Sequence, residues 1–164
     1  MNDSMRQDAI SRVGITIAID GPAGSGKSTV SKALAARLGI GYLDTGAMYR
    51  ALTWYCLDRG IDLADKAAVA AAANEMPLRL VSDPSDPHVW VGEREITEEI
   101  REPRIALEIK HVSTNLDVRA WMAAEQRRRM MEAREQGSGM IAEGRDITTV
   151  VCPDADVRIL LLAD

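Results

Sequence analysis

The segment that most constrains this chain is residues 21–28, which read GPAGSGKS. It matches the pattern G-x-x-x-x-G-K-[ST] at every fixed position. The glycines let successive backbone N–H groups turn inward around an anion, and a helix that begins at the end of the loop adds the positive end of its dipole. In such loops the lysine reaches the β- and γ-phosphates and the final hydroxyl ligates Mg²⁺. We therefore predict a nucleoside triphosphate site with Lys27 on the phosphates and Ser28 on the metal.

The segments around this loop fit the strand–loop–helix arrangement that the motif requires. Residues 13–20 are a nearly continuous apolar, β-branched run, which is typical of a parallel strand buried on both faces. After the loop, apolar side chains recur at helical spacing until Gly39, which we expect to end the helix. Strands that alternate with helices indicate a parallel α/β sheet flanked by helices. The further predicted strands are residues 40–43, 140–143 and 157–163, and the further predicted helices are residues 45–59, 65–75, 97 onward and 117–136.

The pattern changes between about residues 62 and 100. Residues 78–82 and 88–92 alternate apolar and polar side chains, and they flank the turn-rich segment 83–87. This predicts a small antiparallel hairpin rather than another β-α-β unit. We expect residues 13–164 to form one core with an insertion at about residues 62–100, and residues 1–12 to form a disordered tail.

Charge and cysteine content argue against several classes of protein. The net charge is −5, whereas nucleic-acid-binding domains usually carry a basic excess. The one basic cluster, residues 127–129, lies between Glu125 and Glu132 in a helical pattern, so we expect i,i+4 ion pairs on a solvated helix face. Cys56 and Cys152 are too few and too far apart for a disulfide framework, and no apolar run approaches the ~20 residues of a membrane span. We expect a cytoplasmic protein that binds neither nucleic acid nor membrane.

Candidate acceptor-binding residues follow the second and third predicted strands of the sheet. Ligands of open α/β sheets bind at the carboxyl ends of the strands. Thr45 stands at a helix start with Tyr49 and Arg50 about one turn on, so all three can reach one phosphate, although a capping threonine beside a surface arginine is the alternative. Arg145 and Asp146 follow the third strand and could equally form a structural salt bridge. The chain lacks the Asn-Lys-x-Asp segment of a GTPase, and a motor ATPase would usually have a longer chain and a strand that ends in an acidic pair. Together with these acceptor-site candidates, this favours a phosphotransferase.

Three segments together resemble the bacterial cytidylate kinase family. They are residues 20–29, DGPAGSGKST, residues 42–50, YLDTGAMYR, and residues 143–151, which begin EGRD and end TVV. The resemblance extends from about Gly14 to Asp164. It implies the P-loop nucleoside monophosphate kinase fold and transfer of the γ-phosphoryl group of ATP to CMP or dCMP with Mg²⁺, in pyrimidine nucleotide metabolism. We expect a monomer whose chain stops before the lid and the C-terminal segment of that family.

The resemblance also assigns roles to individual residues. The ATP loop would comprise Gly21, Pro22, Ala23, Gly24, Ser25, Gly26, Lys27, Ser28 and Thr29, with Ser28 as the metal ligand. CMP would be bound by Asp44, Thr45, Tyr49, Arg50, Arg119, Arg145 and Asp146. The catalytic cations would be Lys27, Arg50, Arg119 and Arg145. In this scheme Arg145 and Asp146 read cytosine, whose N4 amino donor beside the N3 and O2 acceptors suits a carboxylate next to a guanidinium.

Two positions depart from the pattern of that family. Lys110 stands where relatives usually have a small serine that touches the base, and Thr148 stands where they usually have glycine. If position 148 requires a positive φ, Thr148 would be strained. The sequence leaves two alternatives open: a kinase for another small acceptor such as UMP or shikimate, or a nucleotide-binding module without turnover.

Overall fold

The computed structural model describes Asp3 and residues 14–162. Of these, residues 14–45, 82–87 and 125–162 form a first compact unit, and residues 46–81 and 88–124 form a second. The strands are β1 (Thr16–Asp20), β2 (Gly41–Asp44), β3 (Leu78–Val81), β4 (His88–Val91), β5 (Arg94–Glu95), β6 (Met140–Gly144) and β7 (Val157–Leu160). The helices are α1 (Lys27–Leu38), α2 (Thr45–Asp58), α3 (Lys66–Glu75), α4 (Pro103–Ser113) and α5 (Leu116–Glu135), with a 3₁₀ turn at Glu99–Arg101 and a π-helical turn at Ile147–Val151.

The first unit is built on a four-stranded parallel sheet in the order β2-β6-β1-β7. Strand β1 lies within the apolar, β-branched run 13–20 that predicted it, and every residue of β1 is buried. Ile17, Ile19 and Ile141 belong to the same core cluster as Ala35 of α1, so helix α1 packs on this sheet. The predicted parallel sheet flanked by helices is confirmed, together with a small antiparallel sheet.

The register of the sheet brings the carboxyl ends of three strands together. Asp20 at the end of β1 pairs with Gly144 of β6, and Asp44 at the end of β2 pairs with Glu143 of β6. The loop of residues 21–26 leaves β1 at this edge, and helix α1 begins directly after it at Lys27. The polar residues predicted from the sequence therefore start from a common edge of the sheet.

Strand β7 stands at one side of this sheet and pairs with β1. It ends at Leu160, so the predicted strand 157–163 is too long at its C-terminal end. Val157 is 38% exposed and Leu160 is 66% exposed, and Arg158 between them is exposed as well. Among the described residues no further strand pairs with β7.

The second unit contains the antiparallel sheet β3-β4-β5. The hairpin predicted from residues 78–82 and 88–92 is confirmed by the pairing of Leu78 with Val91, but the third strand, β5, was not predicted. Helix α4 begins at Pro103, which favours the first position of a helix, whereas the sequence placed a helix start near Thr97. Glu102, just before the proline, is extended as expected for that position (φ −63°, ψ 146°).

The insertion at residues 62–100 stays a prediction. The tail at residues 1–12 lies outside the described residues apart from Asp3. Within the described part of the chain, none of the helices combines the length and apolar character that crossing a membrane requires.

Candidate functional site

The loop between β1 and α1 contains two glycines in the left-handed backbone region. Gly24 and Gly26 adopt left-handed backbone angles (φ +79° and +81°), which side-chain-bearing residues rarely adopt, and no atom lies within 4 Å of a Cβ built on either residue. The Lys27 ammonium group donates a hydrogen bond of 2.9 Å to the carbonyl oxygen of Gly21, so it lies back across the loop. The buried hydroxyl of Ser25 has no hydrogen-bond partner among the described residues. The loop therefore offers a helix N-terminus, an ammonium group and a spare hydroxyl to an anion.

A buried carboxyl group, that of Glu143, lies beside this loop. Glu143 is 2% exposed at the end of β6, and its Oε1 accepts hydrogen bonds from the Ser28 hydroxyl (2.8 Å) and the Tyr42 hydroxyl (2.7 Å). The other oxygen, Oε2, is buried and has no hydrogen-bond partner in the part of the chain that the structure describes. A buried carboxyl oxygen that lacks a donor is costly unless a cation or a ligand satisfies it. We call Ser28, Tyr42 and Glu143 the carboxyl cluster.

The Tyr42 phenol is a permanent donor in the carboxyl cluster. Burial is the main cause that raises the pKa of Tyr42 far above its usual range, and the neighbouring Asp44 and Glu143 carboxyl groups act in the same direction. The phenol therefore stays protonated at neutral and mildly alkaline pH. At these pH values the phenol oxygen keeps its proton and donates a hydrogen bond to Oε1 of Glu143.

The close approach of β6 to the start of α2 depends on Gly144. A Cβ at this residue would lie 2.0 Å from the Thr45 hydroxyl oxygen, a distance that no side chain can occupy. Thr45 is 3% exposed, and its hydroxyl donates a 2.8 Å hydrogen bond to the Glu143 carbonyl oxygen. In this structure the Thr45 hydroxyl therefore links the start of α2 to β6 by a hydrogen bond. The alternative considered from the sequence was that Thr45 only caps its own helix.

The residues after β6 form a sharp turn. Arg145 and Asp146 are exposed, and Asp146 has the left-handed backbone angles φ 61° and ψ 18°. Among the described residues Asp146 is the one non-glycine residue with a positive φ. The strain that we considered for Thr148 is therefore absent: the left-handed position falls on Asp146, a residue type that tolerates it.

The other predicted site residues lie in the second unit. Tyr49 and Arg50 are half-buried on α2, one helical turn after Thr45. Arg119 is half-buried on α5, where one of its guanidinium nitrogens donates to the Ser113 carbonyl oxygen at 3.2 Å. Lys110 is exposed near the end of α4. Of the predicted site, the structure thus groups the phosphate loop, Asp44, Thr45, Arg145 and Asp146 in the first unit.

The basic cluster on α5 follows the predicted pattern in part. Arg128 and Arg129 pair with Glu125 at 2.7 and 3.0 Å, and Arg128 also pairs with Glu132 at 2.8 Å. Arg127 instead forms a two-pronged ion pair with Asp154, at 2.7 and 2.9 Å, so its predicted pairing within the helix is wrong. These contacts account for the cluster as surface ion pairs.

Sequence reasoning missed Tyr42, Glu143 and Asp20 as site residues. Glu143 and Tyr42 are 101 positions apart, and no local pattern indicates that their side chains meet. The one feature of the sequence that could have indicated them is their place at or near the C-terminal end of a predicted strand. Within the described chain no group of three His, Cys, Asp or Glu side chains is arranged to hold a metal ion, so any cation here would have few protein ligands.

Comparison with known proteins adds independent findings. The family model described as cytidylate kinase matches residues 17–164. Cytidylate kinases of Streptomyces avermitilis and Rhodococcus opacus are 43% and 46% identical to the chain over 149 residues, which cover 91% of this chain and 63% of each relative. A bifunctional pantoate ligase/cytidylate kinase of a Synechococcus strain is 45% identical over 150 residues, which cover 90% of this chain and 29% of that protein. The chain thus spans less than two thirds of the length of these relatives.

Proposed function

The chain belongs to the cytidylate kinase family, and we propose that it binds ATP and CMP or dCMP and transfers the γ-phosphoryl group between them. The observation that carries the proposal lies in the first unit. There the complete phosphate loop leaves β1 at Asp20, and the Arg145–Asp146 turn leaves β6 at Gly144, which is the direct neighbour of Asp20 in the sheet. A donor loop and a base-reading turn start from adjacent strand ends.

On the donor side, the loop amides and the start of α1 receive the phosphates of ATP. Lys27 would leave the Gly21 carbonyl oxygen and pair with phosphate oxygens, which are stronger acceptors because they are charged. The site also fits Mg²⁺, which usually takes one or two protein oxygens and completes its shell with phosphates and water. The Ser28 hydroxyl and the unpartnered Oε2 of Glu143 are the oxygens that would hold it. When bound, Mg²⁺ neutralises charge on the β- and γ-phosphates.

On the acceptor side, the attacking atom is a phosphate oxygen of the monophosphate. This oxygen is already ionised at neutral pH, so the transfer needs no general base. It forms a bond to the γ-phosphorus while the bond from that phosphorus to the β–γ bridging oxygen breaks and ADP leaves. The protein must hold the reacting groups in line and neutralise their charge. We propose that Arg50, Arg119 and Arg145 supply this charge, and that Thr45 and Tyr49 help to bind the phosphate.

For base selection we propose that Asp146 accepts a hydrogen bond from the N4 amino group of cytosine and that Arg145 donates to its acceptors. Uracil presents a carbonyl oxygen where cytosine has the amino group, so the Asp146 carboxylate would face another acceptor. Sites built on such hydrogen bonds discriminate strongly against analogues that leave them unpaired. We further propose that the protein is monomeric and cytoplasmic.

Titration calorimetry of this chain with ATP, CMP and UMP tests the proposal, and a coupled assay for CDP formation tests turnover separately. Asp146→Asn is the informative variant, because asparagine also tolerates left-handed backbone angles and keeps the turn intact. We expect CMP affinity to fall about tenfold, the effect of about 1.4 kcal/mol in binding, with ATP affinity unchanged. The matched control is Asp154→Asn, which changes an exposed aspartate held by Arg127.

Two results would contradict the proposal. Absence of CMP binding by the parent chain would exclude the cytidylate acceptor. If Asp146→Asn lost CMP and UMP affinity equally, base reading by Asp146 would be excluded. That result would not bear on the proposed binding of ATP.

A further inference from the structure

The turn that carries Arg145 and Asp146 is fixed by a residue of another strand. Asp20 at the end of β1 is 7% exposed, and its Oδ1 accepts a 2.8 Å hydrogen bond from the backbone N–H of Ile147. Its Oδ2 accepts a 2.8 Å bond from the backbone N–H of Thr148 and a 2.6 Å bond from the Thr148 hydroxyl. A carboxyl group from β1 thus caps the π-helical turn Ile147–Val151, whose own N-cap residue, Asp146, makes no side-chain cap hydrogen bond.

The hydroxyl of Thr148 adds a contact that the backbone cannot supply. Any residue except proline can donate its backbone N–H to Asp20 from position 148, whereas the third bond comes from the Thr148 hydroxyl. Threonine is also branched at Cβ, so few side-chain rotamers compete with the bonded one. The glycine that the family usually has at this position keeps the two backbone bonds and loses the third.

The capped turn follows a residue with left-handed backbone angles. Asp146, two positions before Thr148, holds the left-handed backbone angles described above. Such conformations persist only where neighbouring contacts hold them, and they are common where a protein presents functional side chains. The Asp20 contacts hold the two residues that follow Asp146, and the Gly144–Asp20 pairing in the sheet holds the residue before Arg145. The directions of the Arg145 and Asp146 side chains therefore depend on both anchors.

We propose that Thr148 is a positioning residue whose hydroxyl, through Asp20, holds the Arg145–Asp146 turn in the geometry that reads the pyrimidine ring of CMP. This inference rests on the proposed function, in which those two side chains contact the base. Thr148 itself does not contact substrate in this scheme. Because Asp20 immediately precedes the phosphate loop, the same carboxyl group connects the base-reading turn to the start of the ATP site.

The test compares Thr148→Val, Thr148→Ser and Thr148→Gly with the parent chain by calorimetric titration of CMP, UMP and ATP. Valine keeps the branched shape and removes the hydroxyl, whereas serine keeps the hydroxyl. The matched control is Thr149→Val, the same change at the exposed neighbouring threonine. We expect Thr148→Val to weaken CMP binding about tenfold and to lower the CMP-to-UMP affinity ratio, as the loss of one hydrogen bond to a carboxyl group predicts. ATP affinity should change less than about twofold, and Thr148→Ser should restore CMP binding.

The outcomes separate this inference from the proposed function. If the parent chain fails to bind CMP, the proposed function is wrong and the inference falls with it. If the parent binds CMP but Thr148→Val and Thr149→Val have equal CMP affinities and equal CMP-to-UMP ratios, the positioning role alone is wrong. If the valine variant unfolds, Thr148→Gly takes its place, and a glycine variant with the CMP affinity of the parent overturns the inference.

Discussion

Removal of a single oxygen atom from Tyr42 tests how the carboxyl cluster is held. The Tyr42 hydroxyl donates a 2.7 Å hydrogen bond to Oε1 of Glu143, and the two residues are only 4% and 2% exposed. Phenylalanine fills the same space without the hydroxyl, so Tyr42→Phe removes one buried hydrogen bond and introduces no steric clash. Oε1 then keeps one donor, the Ser28 hydroxyl, where it had two.

The expected cost follows from that geometry. A buried hydrogen bond to a carboxyl group contributes about 1.5–3 kcal/mol, and we expect the free energy of unfolding to fall by about 2 kcal/mol. For a chain of this length, that loss corresponds to a decrease of roughly 4–8 °C in the unfolding midpoint. We also expect Mg²⁺ to strengthen ATP binding less in the variant than in the parent, because Glu143 is then held by a single hydroxyl.

Urea unfolding followed by tryptophan fluorescence measures the first effect, and ATP titrations with Mg²⁺ or with EDTA measure the second. Tyr55→Phe is the matched control, because Tyr55 is another buried tyrosine (3% exposed) that lies outside the carboxyl cluster and packs its ring under Arg59. Equal stability losses in Tyr42→Phe and Tyr55→Phe would refute the reasoning about the Glu143 hydrogen bond. An unchanged effect of Mg²⁺ on ATP affinity would refute the assignment of Glu143 to the metal.

Two further predictions concern contacts next to the site. Gly144→Ala should lower the free energy of unfolding by about 1–3 kcal/mol, because the new methyl group would overlap the Thr45 hydroxyl. The loss should be smaller in a Thr45→Ala background, where that hydroxyl is absent. Additive losses in a double-mutant cycle would contradict the clash. Asp156 has its pKa lowered chiefly by the Thr16 backbone N–H, with a further contribution from Arg134. A lowered folded-state pKa means that its contribution to stability is present above the unfolded value, about 3.9, and is lost as pH falls through the folded value. The difference in urea midpoint between the parent and Asp156→Asn should therefore be larger at pH 7 than at about pH 2; an equal difference at both would contradict this.

The parts of the fold that the sequence predicted are those that local rules determine. The residues after the phosphate loop carry a helical pattern that Gly39 ends, and in the structure helix α1 runs from Lys27 to Leu38 with Gly39 as its C-cap. The hairpin was also predictable, because alternation and a turn-rich centre are local properties. The predictions were less accurate where a local signal was weak, as for β5, which has two exposed residues, or where Pro103 delayed the start of α4.

The parts of the site that the sequence did not predict depend on contacts between distant residues. Spacing could not show that Asp20 reaches Thr148 across 128 positions, nor that the left-handed residue is Asp146 rather than Thr148. The conformation of a turn depends on which backbone N–H groups another strand can accept, and that becomes known only once the strands are paired. For the same reason, the sequence predicted Ser28 as a metal ligand but not Glu143, whose carboxyl group lies next to it.

The exposed strand β7 has a consequence for the colloidal behaviour of this chain. A strand with unpaired backbone groups and exposed apolar side chains can pair with the same strand of another molecule, and repeated pairing leads to aggregates. The exposed apolar side chains of Val157 and Leu160 favour such pairing. The positive charge of Arg158, which lies between them, repels the same strand of a second copy. Because salt screens the repulsion between two such charges, we expect self-association of this chain to increase with salt concentration.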